Sequence, residues 1–128
     1  MIDDLKNKYR FFNESKVLLE ELKGTVKTDE QVRTISMYGK KSRYEDLVVQ
    51  NAITKLTVEL LEETIQEQEE NIHKDFRNIE VKYGEEAKEM IYKHVVDGET
   101  QKQLAHQYKY SVIQMWRKFD KWDGNDNE

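Results

Sequence analysis

Apolar residues recur with a helical period along most of this chain. Ile2, Leu5, Tyr9, Phe12, Leu19 and Leu22 lie three, four or seven apart, which places them on one stripe of a helix over about 2–23. Asp3 and Asp4 suit the positive end of that helix, and Gly24 is a stop signal. Because Leu5, Phe12 and Leu19 are each seven apart, the stripe predicts packing against the next helix or a short helix–helix seam. Leu47, Ala52/Ile53, Leu56, Leu60/Leu61, Ile65, Ile72, Phe76, Ile79 and Tyr83 then predict one long helix over about 44–83, with no glycine or proline before Gly84. At ~1.5 Å per residue it spans about 60 Å. Its apolar seam thins through QEQEEN, between Ile65 and Ile72. A helix this long and polar needs a partner, so it is expected to pack on the first helix, on a second subunit, or on both. A homodimer through an antiparallel helical hairpin or a coiled-coil seam follows.

After Gly84 the pattern shortens. Ala87, Met90, Ile91, His94 and Val95 give the buried face of a helix from Glu85 to Val96, stopped by Asp97-Gly98. Thr100 with Gln103 three residues on reads as a capping box. Leu104, Ala105 and Tyr108 form the inner side of the second short helix. Lys109-Tyr110 makes a turn, and Ser111 caps a third helix that buries Met115, Phe119 and Trp122. The segment 123–128 is expected to be a disordered tail. Between the first two helices, 24–43 reads as a basic loop carrying Arg33, Lys40, Lys41 and Arg43, with one helical turn near Asp29 to Arg33.

Composition agrees with an all-α fold: an N-terminal helix, a long helix, and a C-terminal three-helix module. Among 128 residues there are five glycines and no proline, and hydrophobic and charged residues each make up 37%. The expected division is a helical scaffold over 1–83 and a module over 84–122. Without cysteine, disulfides, thiolate metal sites and cysteine nucleophiles are excluded. The N-terminus lacks an apolar signal-peptide core, and no apolar run reaches membrane-spanning length. A cytoplasmic location without membrane contact is the expectation.

A net charge of −5 argues against a nucleic-acid partner until its distribution is considered. Six glutamates (Glu59, Glu62, Glu63, Glu67, Glu69 and Glu70) lie between Lys55 and His73 with no base among them. From Thr100 to Trp122 the order reverses: Lys102, Lys109, Arg117, Lys118 and Lys121 face the single acid Asp120. Only the local field at a contact face acts on DNA, because charges are screened within about 8–10 Å. The three histidines are scattered, no paired carboxylates mark acid–base catalysis, and no glycine loop cradles phosphate. Neither an enzyme, nor a metal, a cofactor or a small-molecule substrate is expected.

The pattern predicts a helix-turn-helix. Ala105 lets the last helix approach closely, and Leu104, Tyr110, Met115 and Phe119 lock the crossing, leaving the outer face of 111–122 free for the major groove of double-stranded DNA. Ser111, Val112, Ile113, Gln114 and Arg117 are the candidate base contacts, Gln114 by bidentate pairing with adenine and Val112 or Ile113 on a thymine methyl. Thr100, Lys102, Lys109, Lys118 and Lys121 are the candidate phosphate contacts, and the loop 24–43 either reaches phosphates too or is a solvated linker.

The stretch GETQKQLAHQYKYSVIQMWRKF, Gly98–Phe119, resembles the helix-turn-helix of sigma-factor region four. Gly98, Thr100, Gln103-Leu104-Ala105, Tyr108, Ser111, Met115 and Phe119 fall on its pattern without a gap. Two positions depart: Lys109 stands where such turns usually carry glycine, which would require positive φ of a lysine, and Tyr108 and Tyr110 are bulkier than the usual aliphatics. In layout the chain resembles small phage and prophage late regulators of the ArpU and RinA type. That resemblance implies regulation of phage late genes in a bacterial cytoplasm, with RNA polymerase as a further partner. It lacks a counterpart of the sigma domain that melts the promoter. Two alternatives remain: a small terminase subunit, which combines similar parts in the opposite order, and a protein-interaction module in which exposed Val112, Ile113 and Trp116 meet a protein.

Overall fold

The computed structural model describes residues 1–28, 30–32 and 41–124, the side chains of 41–44 excepted. Among them every regular element is a helix: α1 (Ile2–Thr25), α2 (Lys41–Tyr83), α3 (Glu85–Val95), α4 (Gln101–Tyr108) and α5 (Val112–Trp122). The protein is all-α. None of these helices is long and apolar enough to cross a membrane. Of the expected basic loop, Thr25 still belongs to α1 and Lys41 already opens α2. Residues 29 and 33–40, with Arg33 and Lys40, lie outside the described residues. A helical turn at 30–32 is present, started by Thr28, whose hydroxyl accepts from the Gln31 N–H at 3.2 Å while Gln31 Oε1 accepts from the Thr28 N–H at 2.9 Å.

The chain forms two compact units, Met1–Phe12 with Gln68–Glu128, and Asn13–Glu67. The division falls inside α1 and inside α2 and not at Gly84. The first unit is therefore wider than a module over 84–122: it takes in the first turns of α1 and the last turns of α2. Its core joins Ile2 and Leu5 of α1, Ile72, Phe76 and Ile79 of α2, Ala87, Met90 and Ile91 of α3, Leu104 and Ala105 of α4, and Met115, Phe119 and Trp122 of α5. Each large side chain enclosed this way favours the fold by about 1.5–3 kcal/mol. The Lys8–Asp75 ion pair at 2.7 Å lies at the rim.

Asp123 also belongs to this unit. Expected in a disordered tail, it follows α5 as its C-cap and accepts from the Ile2 N–H at 2.7 Å through Oδ1. The Met1 ammonium lies 3.0 Å from the same oxygen. These donors, the Ile2 N–H foremost, hold the Asp123 carboxyl below its ordinary value. Residues 125–128 lie outside the described residues.

In the second unit the long apolar stripe of α2 splits. Leu47, Asn51, Thr54, Val58, Leu61 and Ile65 are half-buried, whereas Ala52, Ile53, Leu56 and Leu60, expected in the same seam, are exposed. The reason is angular: at 3.6 residues per turn, Ile53, Leu56 and Leu60 sit on a different side of the helix from Leu47, Val58 and Leu61. Asn51 binds the Lys27 backbone on both sides of its amide, accepting at 2.8 Å and donating at 2.9 Å. Lys23 lies 3.6 Å from Glu62. In the first unit, Gln68 is half-buried where the apolar seam thins.

Only Gly84 separates α2 from α3, with φ 101° and ψ 172°, a region that only glycine occupies without strain. Its N–H donates to Glu80 O, its carbonyl accepts from the Lys88 N–H, and Lys88 Nζ reaches Glu80 at 2.9 Å. A Cβ at Gly84 would meet nothing within 4 Å, so the cost of one is conformational. Gly84→Ala is expected to destabilise the fold by about 1–3 kcal/mol, measured by chemical denaturation; an unchanged midpoint would refute this account of the junction.

His94 supplies a pH dependence. Its ring meets Phe119 edge-on at 5.0 Å, and its Nδ1 lies 2.7 Å from Glu99 O. Burial pushes its pKa below the ordinary 6.5, against the opposing pull of the Glu99 carbonyl. The unfolded chain therefore takes up the proton first as pH falls. The contribution of neutral His94 is complete above 6.5 and declines from there towards the lowered folded value. Thermal midpoints between about pH 7.5 and 5 are expected to fall, and less steeply in His94→Gln; equal slopes would assign the effect to other groups.

Candidate nucleic-acid interface

Two short helices and the turn between them carry every predicted contact residue, and local chemistry fixes each boundary. Thr100, in extended conformation, accepts from the Gln103 N–H through its hydroxyl at 3.1 Å, and Gln103 Oε1 accepts from the Thr100 N–H at 2.8 Å. The expected capping box thus starts α4. Ser111 and Gln114 repeat it for α5, at 3.1 Å and 3.0 Å. Between them Lys109 takes left-handed φ 61°, ψ 37°, as its place in the turn requires of any residue there. The Tyr110 N–H then reaches back to Ala105 O at 2.9 Å, closing the helix end in the manner of a Schellman motif.

The inner faces are closed. Leu104, Ala105 and Met115 are essentially fully buried, and Phe119 stacks at a tilt on Trp122 with centroids 5.2 Å apart. The two bulky tyrosines have a structural role that their positions alone did not reveal. The Tyr108 hydroxyl donates to Glu89 at 2.7 Å and the Tyr110 hydroxyl to Glu86 at 2.8 Å, which ties the turn to α3. Lys93 lies over the Tyr108 ring at 4.9 Å and Lys118 over the Tyr110 ring at 4.7 Å. The Tyr108 hydrogen bond holds the Glu89 carboxyl below its ordinary range, and Glu86 raises the Tyr110 phenol.

Ser111, Val112, Ile113, Gln114 and Arg117 are all exposed on the first turns of α5, with Trp116 beside them. Thr100, Lys102, Lys109 and Lys121 are exposed as well, while Lys118 is half-buried. Gln114 is more constrained than its role as an adenine reader assumed. Bidentate pairing uses both ends of the amide, and its Oε1 already accepts from the Ser111 N–H, so adenine would have to share that oxygen with the cap. Lys82, not singled out from the sequence, lies against the module. With Tyr83, Glu86, Ala87, Lys118, Lys121 and Trp122 it lines a groove of about 410 Å³. The available signal was its position two residues before Gly84, where α2 ends against the module. Among the described residues no three His, Asp or Glu side chains are grouped to hold a metal.

Lys109 couples stability and charge in opposite senses. Lys109→Gly removes a left-handed non-glycine residue and is expected to stabilise the fold by about 0.5–1 kcal/mol. It also removes one cation from the exposed face, so any affinity of this face for duplex DNA would drop and the slope of log affinity against log salt would flatten by about one. Thermal melting and a salt titration of binding check both arms; a destabilised variant would contradict the strain argument. No protein-family model, curated protein or solved structure matches this chain, so the functional meaning of the interface comes from its own geometry.

Proposed function

We propose that residues 98–122 act as a helix-turn-helix that binds double-stranded DNA by sequence, and that the protein regulates transcription. The observation that carries this reading is the two-sided character of α5. Met115, Phe119 and Trp122 lock one side into the core, while Ser111, Val112, Ile113 and Arg117 are exposed on the other. A recognition helix must be held rigidly and must present its N-terminal turns to base edges. Lys102, Lys109 and Lys121 supply the sequence-independent attraction to phosphate. The resemblance to sigma-factor region four extends the reading to promoter DNA, with phage or prophage late genes as the regulated class and RNA polymerase as a further partner.

A second reading draws on the same face. Val112, Ile113 and Trp116 are 53%, 60% and 60% exposed, an apolar patch suited to a protein partner as well as to thymine methyls. Selection of bound fragments from genomic DNA at two salt concentrations separates the two. Enrichment of one site that survives ~200 mM salt supports a sequence-specific regulator, because non-specific phosphate contacts fade steeply over that range. No enrichment at either salt supports the protein partner.

Variants sharpen the assignment. Arg117→Ala is expected to abolish preference for the selected site at unchanged thermal stability. Gln114→Ala should weaken binding and also cost about 0.5–2 kcal/mol, since it opens the cap of α5. Normal site binding by Arg117→Ala would overturn the recognition-helix assignment.

A further inference from the structure

The second unit leaves one helix face without a partner among the described residues. On α2, Val49, Ile53, Leu56 and Leu60 are 57%, 57%, 60% and 64% exposed. Their spacing of four, three and four is that of alternating core positions in a heptad. Together they offer roughly 450 Å² of apolar side chain, the size of the largest patch on a typical monomer and one that is often functional. The positions that flank the stripe are mostly uncharged: Gln50, Ala52, Thr57 and Thr64, with Glu45 and Glu59 the exceptions. The hydroxyls of Thr57 and Thr64 already donate to the carbonyls of Ile53 and Leu60, each at 2.9 Å. The flank can therefore lose water without leaving those groups unpaired.

We infer that this stripe is an antiparallel seam between two copies of the chain. Under a two-fold axis at its centre, Val49 meets Leu60 of the second copy and Ile53 meets Leu56, so the surface complements itself in both size and spacing. Charge selects the orientation. A parallel pair would set Glu63 against Glu63 and Glu67 against Glu67. The antiparallel pair instead brings the end of α2 that carries Lys41 and Arg43 beside Glu67 of the second copy. Asp46 beside Glu63 is a like-charge meeting, repeated at both ends of the seam by the two-fold axis. With the flanking residues included, the covered area approaches the ~800 Å² per partner of a standard interface. A foreign helix would need its own basic end to answer Glu67; a second copy already has one.

The test uses the full chain, whose lack of cysteine gives a clean background. Light scattering at the highest soluble concentration should report two chains per particle. Ile53→Glu combined with Leu56→Glu should weaken association by roughly 100-fold with helicity unchanged, because both side chains are already exposed in the single chain. A monomeric wild type, or a double variant that remains dimeric, overturns the seam. Oxidation of a mixture of Val49→Cys and Leu60→Cys chains should give the mixed covalent dimer, and Val49→Cys alone should give none. A disulfide between two Val49→Cys chains overturns the antiparallel orientation.

Discussion

Met90, Ile91, Leu104 and Met115 are closed off from solvent, and the C-terminal module depends on that closure. They come from three short helices, none of which has enough length or propensity to persist alone in water. What stabilises each helix is the apolar face it presents to the other two and to the ends of α1 and α2. Ala105 matters for the complementary reason. At 1% exposure it adds little area, but its small side chain allows close approach where a larger one would force the helices apart. Removing a large member of such a core typically costs 2–5 kcal/mol, and in a unit this small that is a large share of the total.

Around that core, hydrogen bonds define where the chain turns. Thr100 with Gln103 and Ser111 with Gln114 satisfy the first donors of α4 and α5, and the Tyr110 N–H satisfies a last carbonyl of α4. The turn between these helices is thus specified by its own residues before any tertiary contact forms. The tyrosines add the connection to α3. Each places a ring against a lysine and a hydroxyl on a glutamate, so the bulk that departs from the usual turn pattern becomes a bolt between elements.

Much of this was legible in the sequence. Helix order, the capping box at Thr100, the N-cap at Ser111 and the buried face of α5 follow from short-range rules, which a sequence expresses most directly, and the positive φ at Lys109 followed from the resemblance of the turn. Three features were missed: two depend on distant parts of the chain, while the third, the Ser111–Gln114 capping box, is local and repeats the Thr100–Gln103 spacing. The apolar positions of α2 look like one seam until the rest of the fold selects the side carrying Leu47, Val58 and Leu61. Gln114 reads as a free amide until Ser111 is seen to use its oxygen. Asp123 reads as a tail residue because nothing local reveals that Ile2 will come to meet it. At the candidate interface, the exposed positions could be read from the pattern, whereas the placement of Lys82 could not.

The bond from the Ile2 N–H to Asp123 has a consequence for synthesis. It links residues 121 positions apart, and the unit that contains it is built from both early and late stretches of the chain. While the protein is being made, the first turns of α1 leave the ribosome long before α3, α4 and α5 exist to receive Ile2 and Leu5. The segment Asn13–Glu67 has all its residues available earlier. Contacts of such large sequence separation carry the loop-closure entropy of nearly the whole chain and slow the folding that depends on them. Ile2 and Leu5 therefore remain apolar groups in search of a surface during that interval, which makes the nascent chain more vulnerable to misassembly than the finished molecule.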